Sequence, residues 1–347
     1  MAYTTIKNPK LYFNTKLYTG NSSTNAITGV GFQPDWVWMK NRGANDSHYL
    51  FDAVRGVTKS LYSNNTSAED TRTNSLTAFG TDGFTLGNEG DINGNGNNYV
   101  AWNWKANGAG SANTDGSINS TVSANTTSGF SIVSYTGSGA NATVGHGLGS
   151  VPKMIIVKQY SSNGGTQNWY VYHASLGNNK DLLLNLTNDA SNTVTTWNNT
   201  TPTSSVFYLG SGDGVNNNTV SYIAYCFAEK TGYSKFGSYA GNGNVDGSFI
   251  YTGFKPAFVM AKATTDSGQS WYMHDNKRNP HNVCGLRLFA NLTNADTTNG
   301  DSGGLDFLSN GFKIRTTDGS TNASGQTRIF MAFAEEPLVG DNPATAR

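Results

Sequence analysis

The chain has 347 residues, enough for two or three domains, and its 23 basic and 23 acidic side chains give a formal net charge of zero. Charged residues make up only 13% of the chain, which argues against a nucleic-acid groove or a polybasic membrane surface, because both need a local excess of Lys and Arg. Aromatic residues reach 12%, so the chain can bury enough surface to fold despite its high content of Asn, Thr, Ser and Gly.

The N-terminal residues lack a charged stretch followed by an apolar core, so no signal peptide is expected, and the sequence has no run of roughly 18 apolar residues that would insert into a membrane. The two cysteines, Cys226 and Cys284, are too few for a disulfide framework and are predicted to be buried thiols. A weakly charged, polar surface without an export signal favours a virion protein, made in the host cytoplasm and released by lysis. A cytosolic β protein of unusual composition is the alternative.

Four landmarks recur three times along the chain in the same order. They are a Tyr-x-Gly turn, a GxxPxxxxxK skeleton, a short aromatic strand and an aromatic closing strand. The skeleton occupies residues 31–40, 149–158 and 253–262. Agreement in both order and spacing predicts three copies of one module.

Alternation with a period of two predicts strands at these landmarks. In the first skeleton, Trp36 and Trp38 alternate with Val37 and Met39, so both faces are apolar, as expected of a central strand that is covered on each side. The closing strand 99–104 places three large apolar residues on one face, and the other two copies do the same. That face is predicted to be core.

The sequence therefore predicts an all-β fold of three tandem antiparallel β-sandwich modules, with a jelly-roll-like topology as one option. The small residues of the segment 107–128 favour a flexible linker that lets the first module move independently, whereas the short connection 229–233 should pack modules 2 and 3 together. The predicted organisation is an N-terminal attachment segment (1–12), module 1 (13–106), the flexible linker (107–128), module 2 (129–230), module 3 (231–336) and a C-terminal tail (337–347).

No catalytic constellation stands out, and we expect no enzymatic activity and no cofactor. The five histidines occupy different positions in the three copies, and no nucleophile, zinc or phosphate-loop motif occurs. Asp91, Asn93 and Asn95 alternate as in a calcium loop, but Trp102 stands where such a loop has its closing acidic residue, so a polar turn is the competing interpretation. Trp197, in an Asn-rich stretch, is a candidate for stacking on a sugar ring, with a core position as the alternative.

Five segments carry a resemblance to a known group of proteins. They are GVGFQPDWVWMK at 29–40, FDAVRG at 51–56, GYSKFGSYAG at 232–241, FMAFAE at 330–335 and PATAR at 343–347. With them the chain resembles the repeated β modules in virion proteins of tailed bacteriophages, especially those of marine hosts. The resemblance covers nearly the whole chain, implies a phage origin, and supplies no catalytic residues.

Together these observations favour a structural and adhesive component of a tail fibre or similar appendage. Its expected partners are other virion proteins and a host surface glycan or protein, without nucleic acid or membrane insertion. The alternatives are a capsid decoration or head-fibre protein and, as a third class, a polysaccharide depolymerase. Fibres are commonly homotrimers, yet three copies in one chain could also form a pseudo-threefold monomer.

Overall fold

Antiparallel strands are the main secondary structure of the computed structural model, which describes residues 3–298 and 304–345 and confirms the predicted all-β class. Residues 1–2 of the predicted attachment segment and 346–347 of the predicted tail lie outside the described residues. Both cysteines are buried, as predicted.

The elements follow the three copies along the chain. Those up to the end of module 1 are η1 (Pro9–Leu11), β1 (Phe13–Thr19), β2 (Asn25–Thr28), β3 (Trp36–Asn41), β4 (Tyr49–Asp52), β5 (Lys59–Ser60), β6 (Asp70–Thr71), β7 (Leu76–Gly80), β8 (Gly83–Leu86), α1 (Gly90–Asn93) and β9 (Asn98–Trp104). Those up to the end of module 2 are β10 (Ser111–Asn113), β11 (Ser120–Asn125), β12 (Phe130–Thr136), β13 (Ala142–Gly145), β14 (Pro152–Gln159), β15 (Trp169–His173), β16 (Lys180–Leu183), β17 (Ser191–Asn192), β18 (Val206–Leu209), α2 (Asp213–Asn216) and β19 (Ser221–Ala228). Those of module 3 are β20 (Ser234–Ala240), β21 (Phe249–Tyr251), β22 (Phe254–Ala263), β23 (Tyr272–Asp275), β24 (Leu286–Phe289), β25 (Thr297–Thr298), β26 (Leu305–Leu308), β27 (Gly311–Ile314), α3 (Gly319–Asn322) and β28 (Thr327–Pro337).

The three modules share one topology. Each has a main sheet in which the closing strand lies between the first strand and the skeleton strand: β1-β9-β3-β4, β12-β19-β14-β15 and β20-β28-β22-β23. A smaller sheet covers one face of each main sheet, and a one-turn helix precedes each closing strand. The smaller sheets are three-stranded in modules 1 and 3 (β2-β8-β7 and β21-β27-β26) but two-stranded in module 2 (β13-β18).

Each main sheet is buried on both faces, as its period-two pattern predicts. In β3, Val37 and Met39 pack into a core that belongs to module 1 alone, whereas Trp36 and Trp38 face the other way into a core to which all three modules contribute. We call the second cluster the shared core. Modules 2 and 3 have cores of their own on the equivalent outer faces.

The shared core contains the closing-strand faces that were predicted to be buried. Aromatic rings from different modules meet there: Trp36 stacks on Tyr225 at 4.4 Å between centroids, and Phe333 lies 5.6 Å from Trp104 and 6.0 Å from Phe227. Burial of large aromatic side chains is a strong stabilising contribution. Each module is thus a sandwich of a main sheet and a smaller sheet, as predicted, and the three main sheets pack against one another around the shared core.

Backbone hydrogen bonds repeat around this arrangement and close it. Each module has a backbone amide, in the segment that follows its aromatic strand, that donates to a carbonyl of another module. This carbonyl lies just beyond the GxxPxxxxxK strand of that module. The three bonds run from Glu69 to Tyr160 (2.8 Å), from Ala190 to Thr264 (2.9 Å) and from Asp296 to Arg42 (2.8 Å). The contact order is module 1 to 2, 2 to 3 and 3 to 1, so the three modules are arranged cyclically.

The segment 107–128 is not a flexible linker, contrary to the prediction. It contains β10 and β11, and β11 pairs with β12 along its length, for example Val122 opposite Val133. Val122 reaches the outer core of module 2, and Ser123 is buried and accepts a hydrogen bond from the Asn107 amide at 2.8 Å. The edge of the main sheet supplies backbone partners to this small-residue segment, and the first module is consequently not free to move independently.

The described part of the predicted attachment segment is docked on the protein. Ile6 lies in the shared core, the Thr4 hydroxyl donates to the carbonyl of Thr231 at 2.6 Å, and the Tyr3 hydroxyl donates to that of Gly253 at 2.6 Å. These residues therefore join module 1 to module 3. The predicted tail begins inside β28, which extends to Pro337.

The lysine that ends each GxxPxxxxxK skeleton is fully buried at a junction between strands and loops. Lys158 donates to the carbonyls of Gln167 (2.7 Å) and of Thr66 in module 1 (2.9 Å), and Lys262 donates to the carbonyl of Thr187 in module 2 (3.3 Å). In modules 2 and 3 the repeated lysine thus joins neighbouring modules, whereas Lys40 donates to the carbonyls of Asn41 and Ala44 within module 1.

Lys158 should make the stability of the protein depend on pH. Burial lowers its pKa to about 7, whereas a lysine in the unfolded chain titrates near ~10.4. Between these pH values the unfolded chain holds a proton that the folded chain lacks, so the free energy of unfolding should rise as pH increases from about 7 towards 10. Urea unfolding at pH 7, 8 and 9 gives the free energy of unfolding at each pH. Its increase with pH should be smaller in Lys158→Met than in the unaltered chain, by about 1 kcal/mol per pH unit.

The exposed Lys277 offers the matched control, since Lys277→Met removes the same group from the surface. An unchanged slope in Lys158→Met, or an equal decrease in Lys277→Met, would contradict the assignment.

Candidate ligand-binding cleft in the second module

Trp197 is not an exposed stacking platform, and the core position that the sequence also allowed is confirmed. Only 2% of it is exposed, and its ring packs edge-on against Tyr172 at 5.8 Å in the outer core of module 2. The Gly210 amide donates to the carbonyl of Thr196 just as the Gly87 amide of module 1 donates to that of Ser75. Trp197, the residue after Thr196, therefore occupies a core position. The equivalent position in module 1 is occupied by the smaller Leu76.

The three residues of the predicted calcium loop do not form a ligand set. Asp91 accepts a hydrogen bond from the Tyr49 hydroxyl at 2.5 Å, and Asn95 is exposed. Asn93 is buried, and its amide group donates to the carbonyls of Ser23 (2.7 Å) and Gly87 (2.6 Å). Within residues 3–298 and 304–345, no group of three or more His, Cys, Asp or Glu side chains is placed to hold a metal ion.

The asparagine at the end of the one-turn helix is instead a repeated structural residue. Asn216 donates to the carbonyl of Gly210 at 2.8 Å and Asn322 to that of Thr316 at 2.7 Å, matching Asn93 in module 1. All three side chains are fully buried. Because a buried amide must be satisfied by partners, this position fixes the helix to the turn before it in every copy.

A polar cleft of about 390 Å³ opens in module 2 between the aromatic strand, the edge of the main sheet and the one-turn helix. This volume is in the range of small-molecule sites, roughly 300–1,000 Å³. The cleft is lined by Gln167, Tyr170, Asp181, Leu183, Ser191, Thr193, Thr195, Thr196, Gly212, Asp213, Gly214 and Val215. The lining has two carboxylates and no basic side chain.

The two carboxylates have different environments. Asp181 is buried and accepts hydrogen bonds from the hydroxyls of Ser191 (2.6 Å) and Thr196 (2.8 Å), and its burial raises its pKa. Asp213 is exposed at the first residue of α2. Burial and the nearby charges of both carboxylates raise the pKa of Tyr170, so all three side chains are electrostatically connected.

Tyr170 is held in place by the backbone of α2. A Cβ atom at Gly214 would lie 2.1 Å from the Tyr170 ring, a distance that no side chain can adopt. The glycine therefore allows the ring to pack directly on the helix. An aromatic surface fixed in this way is pre-organised for a ligand.

The other two modules fill the equivalent place with an arginine of their own. The guanidinium of Arg72 lies 5.8 Å from the ring centroid of Tyr49, and that of Arg287 lies 5.3 Å from the centroid of Tyr272. Tyr49, Tyr170 and Tyr272 each occupy the second position of the aromatic segments 48–52, 169–173 and 271–275. In module 2 the ring of Tyr170 lines the open cleft instead.

The Asn-rich stretch that contains Trp197 borders the cleft, although Trp197 itself does not line it. Thr195 and Thr196 of the Asn-rich stretch line the cleft, while Trp197 faces inward. The sequence feature that could have indicated the cleft is that module 2 contains no arginine. It is difficult to see because Arg72 and Arg287 come from different positions in their modules.

The fold and the cleft define a protein of three cyclically arranged β modules with one diverged copy. A family model described as "Domain of unknown function (DUF7483)" matches residues 8–337, and the chain belongs to this family. The match spans all three modules. Neither the curated proteins nor the solved structures include a match to the chain. None of the helices in the described ranges is long and apolar enough to cross a membrane.

Proposed function

We propose that the chain is a structural and adhesive component of a tailed-phage virion, located in a tail fibre or similar appendage. Its partners are other virion proteins and a molecule on the host surface. The observation that carries this proposal is a difference between the copies. All three modules contribute to the shared core, and module 2 also has an open polar cleft.

Several features support a scaffold role. The first and third modules contribute buried ion pairs at their contacts with the shared core, and the described N-terminal residues bridge these two modules. The surface is rich in neutral amide and hydroxyl groups, with a net charge of zero. A rigid body whose surface carries few charges and no net charge suits a particle that must remain folded outside the cell.

Immunogold labelling of intact particles with an antibody against the chain tests the proposal. The expected result is label on tail appendages, together with inhibition of host adsorption by Fab fragments. Label confined to the capsid shell would overturn the proposal and favour the capsid decoration or head-fibre alternative. Absence of label from particles would reject both.

A second candidate function is polysaccharide depolymerisation, favoured by the two carboxylates in one cleft. The raised pKa of Asp181 is a property of a general acid, and Asp213 is exposed enough to activate water. This function predicts release of reducing sugar from host capsule, and loss of that release in Asp213→Asn. A purified chain that leaves capsule intact would exclude it.

A further inference from the structure

We infer that the cleft of module 2 binds a guanidinium group, presented by an arginine side chain of a protein partner. The inference rests on the proposed function in taking this cleft as the adhesive contact. It names the chemical class of the ligand, which the proposed function leaves open.

The internal copies identify the ligand because they show what this place accepts. A guanidinium stands over the equivalent tyrosine in both other modules, although it comes from different strands. Arg287 belongs to β24, whereas Arg72 directly follows β6. In both modules a guanidinium therefore occupies the same site over the tyrosine ring, although the arginine comes from a different position in the sequence of each module. Cation–π attraction to a tyrosine face accounts for this preference.

Module 2 has oxygen-bearing side chains at both of the positions that supply arginine elsewhere. In the pairing of β16 with β17, Asp181 occupies the place that Arg287 occupies in the pairing of β24 with β25. Thr193 directly follows β17, as Arg72 directly follows β6. The cleft has thus lost its internal cation from both sources and has gained a carboxylate.

Module 2 also has a carboxylate near the place of the guanidinium, but it is shifted by one residue relative to the acids of modules 1 and 3. Arg72 pairs with Glu89 at 3.3 Å and Arg287 pairs with Asp318 at 2.9 Å, and both acids immediately precede the one-turn helix. Module 2 has glycine at this position, and Asp213 follows it as the first helical residue. Asp213 and Asp181 leave the cleft with two acidic groups and no internal cation.

A guanidinium satisfies this arrangement better than an ammonium or a neutral sugar. Its plane stacks on the ring of Tyr170, and its fork of N–H donors fits a carboxylate such as Asp213. The hydroxyls of Thr193 and Thr195 provide further acceptors at the rim. A sugar would leave the negative charge of the cleft without a partner.

Calorimetric and NMR titrations of the full chain test the inference with three probes: the Nα-acetyl amides of arginine, lysine and citrulline. Arginine should bind, and citrulline, which has nearly the same shape but no charge, should bind at least about tenfold more weakly. A short Gly/Ser peptide with one arginine should bind at least as well as the free derivative. Equal binding of citrulline and arginine would overturn the inference, and failure of the peptide would exclude a protein partner.

Thr193→Arg provides the decisive variant because it restores an internal cation at the position of Arg72. It should abolish arginine binding without lowering the melting temperature, while Thr127→Arg, in the exposed turn between β11 and β12, should bind as the unaltered chain does. Asp213→Asn should weaken binding at least about tenfold. Undiminished binding by Thr193→Arg would place the ligand elsewhere.

Particles that carry Thr193→Arg separate this inference from the proposed function. If they fail to adsorb to the host although the arginine probes do not bind the unaltered chain, the cleft is adhesive but the ligand class is wrong. If the probes bind and the particles adsorb normally, the guanidinium site stands and the adhesive role is wrong.

Discussion

Replacing Arg278 with methionine should lower the free energy of unfolding by about 3–5 kcal/mol, because it leaves a buried carboxylate without its partner. Nε of Arg278 lies 2.6 Å from Oδ2 of Asp275, and both side chains are fully buried. Burial alone would raise the pKa of Asp275, but the adjacent guanidinium holds this pKa below its usual value. Asp275 also accepts from the Trp102 indole of module 1 at 3.1 Å, so the loss weakens the contact between modules.

Module 2 supplies the control for this prediction. It has His173 and Leu176 at the positions of the acid and the arginine. The double variant Asp275→His with Arg278→Leu copies this pair, and it should cost less than Arg278→Met alone because no charge remains unpaired. Urea unfolding of the variants measures the difference. A double variant that costs the sum of the two single replacements would show that the pair is not coupled.

Trp104→Ala should also cost about 3–5 kcal/mol, and it should destabilise all three modules together. Trp104 lies 4.4 Å from Trp36 and 4.9 Å from Phe13 within its own module, and 5.6 Å from Phe333 of module 3. The cavity would open in the shared core, to which all three modules contribute. Calorimetry should therefore show a single transition at a lower temperature, with equal calorimetric and van't Hoff enthalpies.

Phe249→Ala is the matched control, since this phenylalanine is 48% exposed in β21. It should change the free energy of unfolding by no more than about 0.5 kcal/mol. Two separate transitions in Trp104→Ala, with modules 2 and 3 melting as before, would contradict a common folding unit.

The strands could be predicted because their pattern is local. The alternation of Trp36 and Trp38 with Val37 and Met39 reports two buried faces directly. It does not report which elements cover those faces, and a sandwich would bury them as well as two other modules do. The segment 107–128 was misinterpreted for a related reason, since the hydrogen bonds that order β11 come from the backbone of β12 and leave no trace in composition.

The candidate site required the structure because exposure depends on tertiary packing. Trp197 stands among polar residues in the sequence, yet it fills an apolar core position. Tyr170 looks like any other strand residue until its partners are known. The cleft above it is defined by the absence of a cation that Arg72 and Arg287 supply elsewhere from different strands, which a comparison of aligned positions does not reveal.

The fusion of three modules into one chain also determines the valency of binding. A substitution in a ring of three identical chains would appear at three places, whereas here each copy varies alone. Within the described residues, Arg72 and Arg287 close the places equivalent to the cleft, which gives one such site per chain. In the proposed adhesive role, high avidity for a host surface would then come from the number of chains displayed on one particle, which the spacing between chains would regulate.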